Sequence, residues 1–308
     1  MTAVSGWNPY VVVAIERVVS HELGRSWRVG RVADLGDRAS HPCALLHGDR
    51  LVVFAKLDGA ARLAAELAGL SRLRDAGVAV ATPIGERIVA TGHGAVLLTE
   101  GLVERPPGER TIEDWRAIGA ALARLHVTHG DRFGLATDGW FGPLRQDNRP
   151  VPSDTWVECY RERRVGPYLR AAVDAGHLPT GVAAGVERVI GRLGDLAGPE
   201  PVPTLLHGDA QHHNIVSTPG GAVFVDPAPY YGHPEVDLAL VDYFAPVPAD
   251  VFAVYGDIMP IAVGFAERRE LWRLHAYLAV VAVAGDTGFG RGVLARLAAA
   301  VAPFSRRG

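Results

Sequence analysis

The sequence predicts an α+β protein of two lobes, on three observations. Its first hundred residues alternate short β-rich runs with one clear amphipathic helix, the remainder is dominated by helical spacing, and 308 residues are long for one hydrophobic core. The stretch "EGLVERPPGER", rich in proline, glycine and charge, reads as the passage between them. The lobes are accordingly drawn at residues 1–101, a small β-rich lobe with one main helix, and 102–308, a larger helical lobe.

The elements follow in order. "PYVVVAIERVVSHEL" carries apolar residues at helical spacing and predicts a leading helix. "WRVGRVADLG" and "CALLHGDRLVVFAKL" read as strands. The leucines at 63, 67, 70 and 73 mark an amphipathic helix over 60–76 with Glu66 near its middle. "GERIVATG" and "GAVLLTEGL" form a further strand pair. Thr111 to Asp114 resembles a capping box, and Trp115, Ile118, Leu122 and Leu125 continue it as a helix. Further helices are expected at 155–175, 180–196, 234–244, 249–258, 267–284 and 291–301, with two short β segments, "TLLHGD" and "AVFVD", between them.

Composition narrows the function classes. Hydrophobic residues at 48% and charged residues at 21% are ordinary globular usage and exclude a disordered or collagen-like chain. A net charge of −3 offers no footprint for a polyanion, so no nucleic-acid partner is expected. Cys43 and Cys159 are too few for a disulfide framework and lack metal-ligand spacing, which implies a reducing compartment. The start has no basic residue before its apolar run, unlike a secretory signal, and "AYLAVVAVA" falls short of the ~20 residues a membrane helix needs. A cytoplasmic protein without membrane association is the expectation. Of 31 basic side chains one is a lysine, Lys56, a compact point charge where every other position carries a planar guanidinium.

The triplet His-Gly-Asp occurs three times. At 47–49 it lies between two strand runs and reads as a hairpin turn, with Gly-Asp supplying positive φ angles. At 129–131 it follows a helix and reads as a C-cap. At 207–209 it has different company: Asn214 lies five residues beyond Asp209, and Asp226 twelve beyond that, at the end of an apolar strand. Phosphoryl transfer needs that set. A carboxylate orients the attacking hydroxyl and accepts its proton, while a carboxamide oxygen and a second carboxylate hold Mg2+ against a triphosphate.

"HGDAQHHN" followed by "VFVDPAPYYGHPEVDLALVDYF" resembles the aminoglycoside phosphotransferase and choline-kinase-like superfamily, and within it the fructosamine (ketosamine) kinase family. "VFAKL", "AAELAGLSRL", "VLLTEGL", "RFGLATDGWFG", "RQDN" and "DTWVECYRERRVGPYL" extend the resemblance over most of the chain. It implies a bilobal protein-kinase-like fold and an ATP- and Mg2+-dependent transfer to a sugar hydroxyl, the 3-hydroxyl of a free or protein-linked ketosamine. It implies Asp209 as catalytic base, Asn214 and Asp226 as metal ligands, and Lys56 on the α/β-phosphates oriented by Glu66. Adenine would meet the backbone of Glu100, Gly101 and Leu102. Tyr230, Tyr231, Glu235, Gln146, Asn148, Trp156 and Arg164 are acceptor candidates by family position. Asp237, in the first turn of its helix, reads as a buttress for the catalytic loop.

Two departures stand out. The phosphate-covering loop, "LGDRASHPCALL", holds one glycine, Gly36, and a proline, Pro42, so it is expected either to cradle ATP less closely or to be assisted by Ser40 and His41. Gln211, His212 and His213 replace a tryptophan and small residues. Adjacent histidines do not have metal-motif spacing, and they are read as polar lining of the acceptor cleft. The rival readings are an aminoglycoside, choline-like or other sugar kinase, and a non-catalytic nucleotide-binding pseudokinase.

Overall fold

The computed structural model describes residues 7–36, 41–92 and 94–305. They group into two compact units that are discontinuous in sequence. One runs through Arg110 and includes Ile215–Pro227; the other holds Thr111–Asn214 and the chain from Ala228 onward.

In the first unit, helix α1 (Pro9–Leu23) starts at a capped end, the Asn8 side chain accepting from the Val11 amide, with Pro9 in the first turn where a missing N–H costs nothing. A five-stranded antiparallel sheet follows: β1 (Arg31–Asp34), β2 (Cys43–His47), β3 (Val52–Asp58), β4 (Val89–Thr91) and β5 (Gly94–Glu100), in the order β1-β2-β3-β5-β4. Helix α2 (Ala60–Asp75) lies between β3 and β4 in sequence. Period-two alternation sorts the side chains. Val53 and Ala55 of β3 and Val96 and Leu98 of β5 pack with Val11, Ile15 and Val19 of α1, whereas Ala95 and Leu97 pack with Leu63 and Leu70 of α2. Lys56 falls on the α2 side.

The remaining part of this unit was only half legible in the sequence. Helix α3 (Ile112–His126), β6 (Gly139–Phe141), β7 (Leu144–Gln146), α4 (Trp156–Cys159), α5 (Gly166–Asp174), α6 (Thr180–Gly191), α7 (Leu193–Leu196) and β8 (Thr204–Leu206) come first along the chain, all in the second unit. Then β9 (Ile215–Thr218) and β10 (Gly221–Phe224) form a hairpin that returns to the first unit. The Phe224 carbonyl accepts from the Ala81 amide, the Ser217 carbonyl from Arg105, and the Ile215 carbonyl from the Arg110 guanidinium.

In the second unit, α3 begins with a complete capping box between Thr111 and Asp114. The helix expected at 155–175 is continuous but carries a π-helical turn, Tyr160–Val165, between α4 and α5. Strand β8 pairs with β11 (Tyr230–Gly232), and α8 (Glu235–Val241), α9 (Asp250–Ile258), α10 (Phe265–Ala284) and α11 (Gly288–Ser305) complete the unit. Strands β6, β7, β9 and β11, of three or four residues each, went unmarked in the sequence, whereas the equally short β8 and β10 fall on the marked runs "TLLHGD" and "AVFVD".

Two turn assignments need correction. Gly48 does sit in the β2–β3 hairpin, but its φ is not positive; a side chain there would strike the Trp27 ring, 2.1 Å from the Cβ position. Gly130 is not a C-cap, because α3 ends at His126 with Val127 capping it, and the Gly130 amide instead donates to the Pro203 carbonyl at 2.9 Å. Among the described residues no helix is long and apolar enough to cross a membrane.

Candidate active site

Lys56 projects from β3 to the α2 side, where Glu66 meets it, Nζ to Oε2 at 2.8 Å. Its second partner is Asp226, just past β10, Nζ to Oδ1 at 3.0 Å. Burial alone would strip the ammonium of its proton, but the charges of Asp226 and Glu66 outweigh it and raise its pKa. Burial, and then the Asp226 charge, push the Glu66 carboxyl up against the pull of Lys56. Asp226 is the exposed member, with 45% of its side chain accessible against 10% for Lys56. Its φ of 52° is left-handed, a region that aspartate tolerates better than most residues and that concentrates at functional sites.

The other nucleotide candidates belong to the same unit. The Glu100 amide donates to the Thr82 carbonyl at 2.9 Å and the Gly101 amide to Val52 at 2.8 Å; the Leu102 amide has no backbone partner among the described residues. The Gly36 amide donates to Asp34 at 2.9 Å. Ser40 lies outside the described residues. His41 pairs with Asp58 at 2.9 Å, and Asp58 also pairs with Arg62. Burial, with Lys56 next, lowers the His41 pKa. Sequence reading missed Arg62 and Asp58. The signal was spacing, since Arg62 lies one helical turn before Glu66 and Asp58 two residues beyond Lys56.

The second unit holds the candidate catalytic loop, which leaves β8 at His207. Gly208 takes φ +82°, and a Cβ there would lie 2.0 Å from the Ala228 carbonyl oxygen, so only glycine fits. The buried Asp237 carboxylate accepts from the His207 amide at 2.7 Å and the Gly208 amide at 3.0 Å. Behind it, His126 bridges Asp237 and the Tyr255 hydroxyl at 3.1 and 2.8 Å. Asp209 is therefore presented from a backbone fixed by charge-assisted bonds. Its own carboxylate accepts from Gln211 Nε2 at 3.2 Å to each oxygen and from Asn214 Nδ2 at 2.9 Å. Asn214 Nδ2 also donates to the Asp209 carbonyl at 2.9 Å, which leaves Oδ1 as the amide's open acceptor.

The acceptor candidates divide. Gln146 Nε2 donates to Asn148 at 3.1 Å and to the Ala228 carbonyl at 3.2 Å, while its Oε1 is buried without a hydrogen-bond partner among the described residues. Arg164, in the π turn, donates to Asn148 at 2.7 Å and lies 3.7 Å from the Tyr230 ring centroid. Tyr231 is half-buried on β11. Trp156 and Glu235 are occupied elsewhere. Trp156 is fully buried among Phe133, Tyr160 and Trp272, and Glu235 is enclosed with Arg268 and the Trp272 indole N–H, at 2.9 and 2.7 Å. His212 is anchored by Nδ1 to the Val241 carbonyl at 3.0 Å, and His213 is exposed. Among the described residues no group of three or more His, Cys, Asp or Glu side chains could hold a metal. Asn214 Oδ1 and the Asp226 carboxylate are each hard oxygen donors of the kind Mg2+ takes a few at a time.

The family model for fructosamine kinase matches residues 11–293. A probable ketoamine kinase of Synechocystis is 36% identical over 174 residues, 56% of this chain and 57% of that protein, so the chain spans little more than half the length of this curated relative. A probable ketoamine kinase of Vibrio vulnificus is 26% identical over 86% of this chain and 91% of its own length. The crystal structure of a Thermobifida fusca protein provisionally assigned as a fructosamine-3-kinase superposes with TM-score 0.79 at 32% identity, covering 94% of this chain and 98% of that one. An aminoglycoside phosphotransferase, at TM-score 0.65 and 16% identity over 95% of this chain and all of the other, shares the fold alone. The kinase-like α+β fold expected from the sequence is borne out.

Proposed function

Because this chain belongs to the fructosamine kinase family, we propose that it transfers the γ-phosphoryl group of ATP to a sugar hydroxyl, the 3-hydroxyl of a free or protein-linked ketosamine. The observation that carries this reading is Lys56, the one lysine of the chain, held between Glu66 and Asp226. A lysine so placed serves as a fixed point charge for the α/β-phosphates, with Glu66 fixing its direction. Adenine would meet the backbone at Glu100, Gly101 and Leu102, with Gly36 and His41 toward the phosphates.

Asp209 acts as the base. As the acceptor oxygen bonds to Pγ, its proton passes to the Asp209 carboxylate, and the bond from Pγ to the bridging oxygen breaks to release ADP. Asn214 Oδ1 and Asp226 would hold Mg2+, which when bound neutralises charge on the phosphates. Asn214 does this without adding negative charge. Of the acceptor candidates, the half-buried Tyr231 fits contact with the sugar best, since Gln146, Asn148, Trp156, Arg164, Tyr230 and Glu235 are enclosed. A cytoplasmic setting, with ATP and reduced Cys43 and Cys159, belongs to the same reading.

The test is a panel of fructosamines, ribulosamines and aminoglycosides with ATP and Mg2+, with the phosphate located in the product by 31P NMR. Phosphorylation at the ketosamine 3-hydroxyl is expected. Turnover of aminoglycosides alone would transfer the protein to the rival acceptor class, and ATP binding without turnover of any acceptor would make it a pseudokinase.

A further inference from the structure

Within the second unit a cavity of about 280 Å3 opens between the chain entering β8, the start of α8 and the segment that follows α9. Val202, Leu238, Met259 and Ile261 make its walls largely apolar, and the phosphoryl-transfer machinery uses none of them. An apolar cavity of about 150 Å3 already takes a benzene ring, so there is room here for a substituted one.

One polar group faces this space. His233 is only 4% exposed, and its ring is fixed beside Trp156 and Trp272 at 6.2 and 5.0 Å between centroids. Its Nδ1 accepts from the Glu235 amide at 3.2 Å, and burial keeps the imidazole neutral by lowering its pKa to about 4, so the proton sits on Nε2. No group among the described residues accepts from that N–H. Unlike His275 Nε2, which is sealed in the core, it is not closed off, and the cavity is the space that the ring lines. Tyr255 lines the same cavity and leads to the Asp209 loop. Its hydroxyl meets His126 at 2.8 Å, His126 holds Asp237 at 3.1 Å, and Asp237 fixes the His207 and Gly208 amides at 2.7 and 3.0 Å.

We propose that this cavity is a second ligand site, taking a small neutral molecule with an apolar body and one carbonyl-type acceptor, and that its occupancy is felt at the Asp209 loop through Tyr255, His126 and Asp237. The ligand class follows from the walls. A lone N–H donor in apolar surroundings calls for one acceptor, because a purely apolar occupant would leave it dry and unpaired. An anion would face Glu200 and Glu235, with no lysine or arginine lining the site. Both carboxylates already have partners, Arg268 and the Trp272 indole on Glu235 and the Trp156 amide on Glu200, which removes the call for a cation. Neither the site nor its test depends on the ketosamine reading.

The probes are acetophenone, ethylbenzene, which is similar in size but lacks the acceptor, and benzoate. Each is titrated into the full chain at neutral pH and followed by 1H–15N NMR of the His233 imidazole and of the His207 and Gly208 backbone amides. Acetophenone should bind roughly 3- to 10-fold more tightly than ethylbenzene, with benzoate weakest, and both amides should shift with the same midpoint as His233. His233→Phe keeps an aromatic ring beside the tryptophans and should erase the preference for acetophenone. Ile261→Trp, at a half-buried position outside the helices, should fill the space and abolish binding, which decides the case even if His233→Phe folds poorly. Tyr255→Phe should still bind acetophenone while the two amides stay unmoved. Equal affinity for acetophenone and ethylbenzene in the parent, a preference that survives His233→Phe, tighter binding of benzoate, or binding that survives Ile261→Trp overturns the site. Binding that leaves the His207 and Gly208 amides unmoved in the parent, or moves them equally in Tyr255→Phe, overturns the link to the loop.

Discussion

The same three residues, His-Gly-Asp, close the β2–β3 hairpin at 47–49 and open the catalytic loop at 207–209, and the two regions differ in everything around them. Asp49 is exposed, and the Gly48 amide closes a local turn onto the Leu51 carbonyl at 3.1 Å. Asp209 follows a glycine in the left-handed region, on a backbone whose two preceding amides are held by the buried Asp237 carboxylate, and its own oxygens are already engaged by Gln211 and Asn214. The first triplet only turns the chain toward Lys56, seven residues on. The second presents its own side chain. The difference resides in the supporting carboxylate and amides, which a three-letter motif does not contain.

Substitutions can break this contrast, beginning with the largest effect. Asp209→Asn is expected to lower kcat by about 10^2- to 10^4-fold while nucleotide Kd stays near that of the parent, because the base is lost and the phosphate contacts remain. Steady-state kinetics with a ketosamine, paired with nucleotide calorimetry, checks it. Lys56→Arg keeps the charge but places a broad fork between Glu66 and Asp226, and kcat/KM for ATP should fall about 10^2-fold. An unchanged value would mean that the hairpin delivers nothing the reaction needs.

Gly208→Ala sharpens the comparison through stability. With φ +82° and a carbonyl oxygen 2.0 Å from the new Cβ, a loss on the order of 3 kcal/mol or more is expected in denaturant unfolding. Gly48→Ala should also destabilise, but through the Trp27 ring, with no effect on the Asp209 loop.

The packing behind the catalytic loop also predicts a pH dependence. Burial lowers His233 to about 4 and His275 to about 3, from an ordinary 6.5. The native state thus keeps both neutral where the unfolded chain protonates them. Stability is full above pH 6.5 and falls as pH drops toward 4 and 3, by about 3 kcal/mol for His233 once pH is below 4. Unfolding midpoints from pH 7 to 4 should show this, and His233→Gln should flatten the profile. The smallest effect belongs to Asp49→Asn, within about ±0.5 kcal/mol and without change in kcat. A large loss there would erase the distinction between the triplets.

Much of this was readable from residues alone. Periodicity gave α1, α2, α3 and the central strands, because each exceeds four residues and has one covered face. The trio Asp209, Asn214 and Asp226 stood out by spacing, and Lys56 by rarity. The enclosure of Trp156, Glu235, Gln146 and Arg164 was not legible, since a residue near the right loop carries no mark of whether a neighbour such as Arg268 already covers it. Gln211 was noted as a departure, but its two bonds to Asp209 were invisible in the string.

What the sequence by itself determined is the inventory: which elements can form, which side chains can hold phosphate or take a proton, and the absence of a strong net charge. These are local properties, set by period, propensity and residue chemistry within a few neighbours. Only the tertiary structure decided that 215–227 groups with the first unit, that Asp237 grips the loop from 28 residues beyond Asp209, and that His126 and Tyr255 back Asp237. Those pairings depend on which buried surfaces and unsatisfied amides meet across long stretches of chain, a choice made by packing and hydrogen-bond completion rather than by local pattern.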